Sequence, residues 1–226
     1  MKTLLRLSFA LLFIVPAQAQ YSYSSGGAFS LGIQSIPTAE LAMLSPAAPE
    51  LNATNFSFGG YGVWQFNRYM IGFKGAGIYG SEVRSNNLAY NVQAGYWGLD
   101  LGYKVINKDK FGLYPFVGLN YGGLTYSVAS TQEYVVSTPT ALDMAEFNWS
   151  GFLLDIGLRA EHLFGFQQSG EGQGGGLVGL ELGYMLAPAG GNWETRSGAS
   201  VVGAPDYAMD GFYVRLLIGG IGGKKM

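Results

Sequence analysis

The amino-acid sequence predicts an all-β fold, a closed eight-stranded antiparallel up-and-down transmembrane β-barrel. Three observations predict it: a two-residue hydrophobic period, eight segments that carry this period, and a low content of charge. Charged residues make up 12% of the 226 residues, whereas about 25% is usual for soluble domains. A chain with so little charge must bury both faces of its elements or contact lipid with one of them.

The two-residue period is clearest in the segment 151–161, and it recurs in 178–186 and 212–218. One face is large and apolar, and the other is mostly glycine and single charges. The first face has Phe152, Leu154, Ile156, Leu158 and Ala160, and the second has Gly151, Leu153, Asp155, Gly157, Arg159 and Glu161. In a soluble barrel the large apolar side chains point inward. Here the glycines accompany the charges, which indicates that the polar face is the crowded one. This inversion is typical of a membrane barrel with lipid outside and a polar lumen.

Eight segments carry the alternation, at 26–34, 54–67, 69–81, 87–106, 111–128, 147–164, 176–187 and 210–220. An even number of strands closes a single-chain barrel without exposed edges. Their connections alternate in length, with tight links at 66–70, 106–110 and 165–176, long ones at 35–53, 129–146 and 188–209, and a medium one near 82–86. Short turns face the periplasm in barrels of this kind, so both termini are predicted to be periplasmic.

Two finer features are predicted within these strands. In the fourth strand Asn91 and Gln93 share one parity and Asp100 and Lys104 the other, which predicts a β-bulge near Gly95. Aromatic girdles are expected at both membrane interfaces. Their predicted members are Tyr69, Tyr103, Tyr114 and Phe164 at the periplasmic level and Tyr79, Tyr121, Trp149 and Tyr184 at the outer level.

The N-terminus predicts a signal peptide over residues 1–19. Lys2 and Arg6 form a positive region, an apolar stretch follows, and Ala17 to Ala19 supply an A-x-A cleavage site. The barrel domain is then 20–226. No later stretch approaches 18 consecutive apolar residues, so membrane-spanning helices are not expected. The chain has no cysteine, which removes disulfides, thiol nucleophiles and thiolate metal sites.

A glycine motif in the third segment favours a soluble cofactor enzyme at first sight. Gly75, Gly77 and Gly80 have the G-x-G-x-x-G spacing of a dinucleotide-binding turn. That motif must open a helix, but the residues after Gly80 have β character and no helical apolar stripe. A second match falls in the glycine-rich link 165–176, so we attribute both matches to the high glycine content of the chain. No cofactor is predicted.

The alternation predicts which charges point into the lumen. Four are positive and four negative, namely Lys74, Lys104, Arg159 and Arg215 against Asp100, Asp155, Glu161 and Glu181. Side chains nearly fill a barrel of eight strands, and an unpaired buried charge costs several kcal/mol. We therefore expect an ion-pair network that plugs the barrel. The alternative is that some of these charges lie at the rims and are solvated.

At this point the chain resembles the small eight-stranded bacterial outer-membrane β-barrels, the family that includes the membrane domain of outer-membrane protein A and the X and W types. The resemblance covers essentially the whole mature chain and lies in architecture more than in sequence. One local match is the C-terminal insertion signal, polar-Gly-x-x-apolar-x-apolar. Here Asp210, Gly211, Val214 and Leu216 fit it, and LIGGIGGKKM follows the match.

The resemblance also bears on catalysis, because lipid A deacylases and palmitoyltransferases of this family use a histidine with a serine and an acid. The deacylase pattern places His and Ser two residues apart on one strand. The chain has a single histidine, His162, followed by Leu163 and Phe164. No catalytic residue and no metal site are predicted, since one histidine and scattered carboxylates give no ligand cluster.

The predicted function is therefore a non-enzymatic structural or surface-interaction component of the Gram-negative envelope. Predicted partners are outer-membrane lipid, the barrel-assembly machinery during insertion, and a surface protein or envelope complex bound through the acidic outer loops. The absence of a basic run argues against nucleic acid. Two alternatives stay open: a narrow channel for a small or apolar solute, and a lipid A-modifying enzyme.

Overall fold

The computed structural model of the protein describes residues 22–45, 48–108, 110–131, 144–169 and 172–225. The predicted signal peptide and the cleavage site lie outside these residues. Eight long strands form the fold: β1 (Ser22–Ser35), β2 (Thr54–Phe66), β3 (Tyr69–Tyr79), β5 (Leu88–Tyr103), β7 (Phe111–Ser130), β8 (Met144–Ser169), β9 (Gly172–Leu186) and β11 (Gly211–Lys225). Shorter elements lie between them: the 3-10 helix η1 (Glu40–Met43) and the strands β4 (Val83–Ser85), β6 (Ile106–Lys108) and β10 (Asn192–Thr195). No helix within these residues is long and apolar enough to cross a bilayer.

The eight long strands pair in sequence order, and β11 pairs with β1 to close the sheet. All of these pairings are antiparallel. The predicted fold class of a closed eight-stranded antiparallel barrel is therefore confirmed, as is the architecture that the chain shares with the small outer-membrane barrels. Each short strand extends a neighbour: β4 pairs with β5, β6 with β7, and β10 with β8.

The strand registers determine the width of the barrel. One path of paired residues starts at Gln173 and ends on the same strand at Gly183, passing through Gly223, Ser24, Gln65, Met70, Gly102, Phe116 and Gly157. The barrel thus has a shear of about ten residues, which for eight strands gives a tilt of about 40° and a radius of about 8 Å. Side chains from opposite walls can meet across such a lumen.

The two faces of the barrel differ as the alternation predicts. Large apolar side chains on the outer surface are between about a third and two thirds exposed, among them Phe29, Phe73, Leu99, Val117, Phe152, Ile156, Leu180 and Leu216. The inward positions carry buried charged and polar groups and glycines, together with buried aromatic and aliphatic side chains. Most charges of the strands are therefore gathered on the inner side of this sheet, and the outer surface is the apolar side.

Aromatic side chains form two levels on the outer surface. At the end with short turns, which we call the turn end, Tyr23 packs on Phe66 and Tyr69 packs on Tyr103. At the end with long connections, which we call the loop end, the packed pairs are Tyr121 with Phe152 and Tyr184 with Phe212. On β3, Tyr69 lies at the level of the turn end and Tyr79 at the level of the loop end. The ten residue steps between them, at this rise and tilt, put the two levels about 25 Å apart along the barrel axis.

The barrel wall is taller on one side. Strands β1, β2, β3, β9 and β11 end near the aromatic level of the loop end, whereas β5, β7 and β8 continue about 15 Å beyond it. We call this part the extension; it comprises residues 88–93, 124–130 and 144–150. Strand β4 joins one edge of the extension through a turn at Asn86 and Asn87, whose φ angles of 51° and 60° suit a tight hairpin turn. Strand β10 joins the other edge.

Three sequence predictions need correction. The pairing of β5 with β3 and β7 runs without a register shift past Gly95, so the predicted bulge is wrong: even-numbered residues face inward throughout, and Asn91 and Gln93 lie on the outer face of the extension. The register shift is instead in β8 and β9, between Phe164 and Gln167. Tyr114 and Trp149 are buried inside the barrel and belong to neither girdle.

Candidate functional site

The candidate site is a cluster of six charged side chains in the lumen. They project inward from β3, β5, β8, β9 and β11, where strand alternation places them opposite one another: Lys74, Asp100, Asp155, Arg159, Glu181 and Arg215. All are at most 3% exposed. The strand registers place the six side chains within about 10 Å of one another along the barrel axis, midway between the two aromatic levels.

Lys74 joins the carboxylates of two strands. Its Nζ lies 3.0 Å from Asp100 Oδ1 and donates a hydrogen bond to Asp155 Oδ2. The hydroxyl of Tyr213 also donates to Asp155, at 2.9 Å from Oδ1. Because Lys74 and Tyr213 share this acceptor, Asp155 is compensated from two sides of the lumen.

Arg159 is fully buried and forms the centre of the cluster. Its Nε donates to Glu181 Oε2 at 2.7 Å, and its Nη2 donates to the same oxygen. Nη2 is also 3.4 Å from Asp100 Oδ2. The guanidinium carbon lies 3.8 Å from the ring centroid of Tyr61, a cation–π contact that gains strength out of water.

Arg215 extends the cluster to the first strand. Its Nη1 lies 3.4 Å from Glu181 Oε1, and its Nη2 donates to Gln34 Oε1 at 2.6 Å. The guanidinium also stacks over Tyr213, at 3.8 Å from the ring centroid. The contacts thus run without interruption from Asp155 through Glu181 to Gln34, and we call the six charges together the lumen network.

The lumen network contains three cations and three anions, so its formal charge is zero. Ion pairs in a site without bulk water are stabilised by charge-assisted hydrogen bonds. The loss of one partner leaves the other charge buried and unpaired. A cavity of about 10 Å³ lies beside Lys74, Arg159, Glu181 and Arg215, which is room for about one water molecule. The arrangement fills the middle of the lumen with matched charge.

Lys104 and Glu161 were predicted to join the other six lumen charges. Both lie nearer the turn end, and neither lies within 4 Å of an oppositely charged group among the described residues. Glu161 is 2% exposed, and its Oε1 has no hydrogen-bond partner within the described part of the chain. Lys104 Nζ lies 5.4 Å from the ring centroid of Tyr114. The Tyr114 hydroxyl in turn accepts a hydrogen bond from Gln65 Nε2 at 3.1 Å.

Glycines provide the space that the lumen network and its aromatic neighbours occupy. A Cβ at Gly118 would overlap Asp100, one at Gly157 would overlap Phe116, and one at Gly183 would overlap the ring and hydroxyl of Tyr213. The pairing of glycine with charge on the inner face therefore has a direct steric cause.

We expect Gly183→Val to destabilise the protein by about 1–3 kcal/mol, because it overpacks the lumen and displaces Tyr213 from Asp155. Urea unfolding in detergent micelles measures the change. Gly62→Val is the matched control: it introduces the same side chain at an outward position, where a Cβ meets its nearest atom at 4.0 Å, and it should unfold at nearly the wild-type midpoint. Equal midpoints for Gly183→Val and wild type would contradict the steric account.

An apolar cluster lies at the loop end of the lumen. Ile36, Leu41 and Leu51 from the first long connection pack there with Trp193 and Tyr207 from the last one. Tyr207 lies edge-on to Trp193, with ring centroids 5.6 Å apart. Burial raises the pKa of the Tyr207 hydroxyl well above its usual range, and the nearby carboxylates of Glu40 and Asp210 raise it further. We call this the mouth cluster.

The outer surface carries His162, which is exposed near the turn end and pairs across the sheet with Phe111 and Val178. No described group of three or more His, Asp or Glu residues could hold a metal ion. The residues of the insertion signal surround the start of β11: Asp210 Oδ1 accepts a hydrogen bond from the amide of Ala187, and Val214 and Leu216 face outward. The role of this segment in insertion stays a prediction.

Three uncharged residues of the site were not assigned a role from the sequence: Gln34, Tyr61 and Tyr213. The alternation put Tyr213 on the inner face beside Arg215 but gave no partner for it. For Gln34, the signal was its position next to Gly32 on an inward face of β1. The pairing of β1 with β11, which brings Gln34 to Arg215, is a long-range contact that no local pattern reports.

Comparisons with known proteins give similarity of structure only. No protein-family model matches the chain, and no curated protein matches it. Solved structures similar to it include the attachment invasion locus protein of Yersinia pestis, with 9% identity, 91% of this chain and 99% of that chain covered, and a TM-score of 0.43. Neisserial surface protein A has 9% identity, coverage of 92% and 98%, and a TM-score of 0.40. A major outer membrane protein of Thermus thermophilus has 9% identity, coverage of 87% and 98%, and a TM-score of 0.42.

Proposed function

We propose that this chain is a non-enzymatic β-barrel of the bacterial outer membrane, which acts as a structural or surface-interaction component of the envelope with a closed lumen. The observation that carries the proposal is the outer surface. Its apolar band lies between two aromatic levels about 25 Å apart, and this is the height that an outer-membrane barrel presents to lipid. The proposed orientation puts the turn end and both termini in the periplasm.

Closure of the lumen is supported at two levels. The lumen network occupies the middle of the barrel with paired charges, and the mouth cluster covers the loop end with buried apolar side chains. An open porin has more strands, because eight strands leave an interior that side chains can fill. The loops then remain as the surface through which the barrel acts, and outer-membrane lipid is its permanent partner.

We expect the purified protein to give no large stable current steps in a planar lipid bilayer. The reason is that the lumen network occupies the middle of the barrel and the mouth cluster covers the loop end. A porin reconstituted in the same bilayer is the positive control, and a heat-modifiable band on a gel shows that the sample is a folded barrel. Reproducible large openings from the folded fraction would refute the closed lumen.

A further inference from the structure

The outer face of the extension differs from the rest of the outer surface. Below the aromatic level of the loop end, most outward side chains are large and apolar, but above it on β5, β7 and β8 the outward positions carry polar side chains and alanine. Six of them are partly or fully exposed: Asn91, Gln93, Thr125, Ser127, Glu146 and Asn148. We call this set the polar face.

Strand pairing makes the polar face continuous. Gln93 is paired with Thr125 and Thr125 with Asn148; Asn91 is paired with Ser127 and Ser127 with Glu146. Neighbouring strands lie about 4.8 Å apart, so these groups form a continuous array of donors and acceptors, of which Asn91 Oδ1 is buried. The Thr125 hydroxyl donates to Asn148 Oδ1 at 2.8 Å, and Asn148 Nδ2 donates to Glu146 Oε1 at 3.2 Å. These two bonds orient Thr125, Asn148 and Glu146 before any ligand arrives.

The opposite side of the same strands explains why the polar face is stable. The inward side chains of the extension are buried in the same apolar core as the mouth cluster, among them Tyr90, Val92, Leu124, Tyr126 and Val128. The extension is therefore a sheet with one packed side and one open side. Loss of side-chain freedom on binding, which weakens recognition by flexible loops, is small on such a surface.

The position of the polar face determines what it meets. It continues directly from the apolar band and lies within about 15 Å above the aromatic level of the loop end. In the membrane placement proposed above, this is the layer of outer-leaflet headgroups. Its six side chains include five amides or hydroxyls and one carboxylate. Among the described residues, cations lie only at its margins: Arg84 forms an exposed ion pair with Glu82 at 2.6 Å, and Arg196 lines a cavity beside Glu146. Amides and hydroxyls both donate and accept, as sugar hydroxyls do.

We propose that the polar face binds the saccharide portion of an outer-leaflet glycolipid. The absence of a cation among the six side chains favours sugar hydroxyls over phosphates as the bound groups. This inference rests on the proposed membrane placement, and it assigns a ligand class to the tall side of the barrel wall.

The test compares two glycolipids by native mass spectrometry of the detergent-solubilised barrel: lipopolysaccharide with a complete core saccharide, and lipid A without it. We expect wild type to retain the core-bearing form about tenfold better, which corresponds to one or two net hydrogen bonds. The triple variant Asn91→Ala, Thr125→Ala and Asn148→Ala should lose this preference and still bind lipid A. The control is Ser35→Ala with Thr54→Ala, two paired outward hydroxyls on the low side of the wall, which should keep it.

Equal retention of both glycolipids by wild type overturns the inference, and so does a preference that survives in the triple variant. Each sample is first checked for heat-modifiability and for stable insertion into liposomes. Failure of wild type to insert refutes the proposed function, whereas an inserted barrel without saccharide preference refutes only the present inference.

Discussion

Arg159→Met is expected to lower the free energy of unfolding by about 3–5 kcal/mol, because it leaves a buried carboxylate without its partner. Glu181 accepts two hydrogen bonds from Arg159, and Asp100 also faces it. Methionine retains much of the side-chain volume, so the loss reports on charge more than on packing. Urea unfolding of the folded barrel, followed by tryptophan fluorescence and by gel mobility, measures the change.

Two further variants make this result specific to a buried pair. Arg84→Met removes the cation of the exposed Arg84–Glu82 pair, and exposed pairs contribute only about 0–1 kcal/mol. Arg159→Met combined with Glu181→Gln removes both charges of the central pair and should recover part of the stability. A loss for Arg159→Met no larger than that for Arg84→Met would show that these charges are solvated, as the rim alternative requires.

Leu99→Arg is expected to destabilise the folded protein in bilayers by about 2–4 kcal/mol, the cost of a cation on the lipid face near the midplane. Leu99 is 56% exposed on the outer surface and lies midway between the two aromatic levels. Reversible unfolding from liposomes measures the free energy. In a soluble barrel the same substitution would place a charge in water and would be nearly neutral.

The matched control for Leu99→Arg lies on the same strand and the same face. Gln93→Arg introduces the same side chain above the aromatic level of the loop end, where a charge reaches water, and its expected cost is about 0–1 kcal/mol. A cost that depends on depth along one strand distinguishes lipid contact from a general effect of arginine. Equal costs at the two positions would contradict the membrane placement.

The faces of the strands were predictable from the sequence because side-chain direction alternates every two residues. The inward charges of β8, β9 and β11 follow from local alternation, and no knowledge of strand partners is needed. Strand ends were less predictable: β8 extends over Met144–Ser169, whereas alternation indicated 147–164. In the extension the outer face becomes polar although the strand continues, so a change in polarity was mistaken for a bulge.

The positions of aromatic side chains were predictable only for those that stay exposed on the outer surface. Tyr69 and Tyr79 lie at the two aromatic levels as expected, but Trp149 packs inward against Tyr207 with ring centroids 5.5 Å apart. Its partner comes from a connection 58 residues away in sequence, by the difference of the two numbers. The individual ion pairs depend on the same kind of long-range register, which composition and spacing do not contain.

The closing contact between β1 and β11 has a consequence for biogenesis. Charges of the lumen network come from five strands, and Arg215, on the last strand, reaches Gln34 on the first. An incomplete sheet would therefore present unneutralised cations and anions to acyl chains. We infer that these groups stay hydrated until the terminal seam forms, so that dehydration of the interior and completion of the cylinder are a single late folding event.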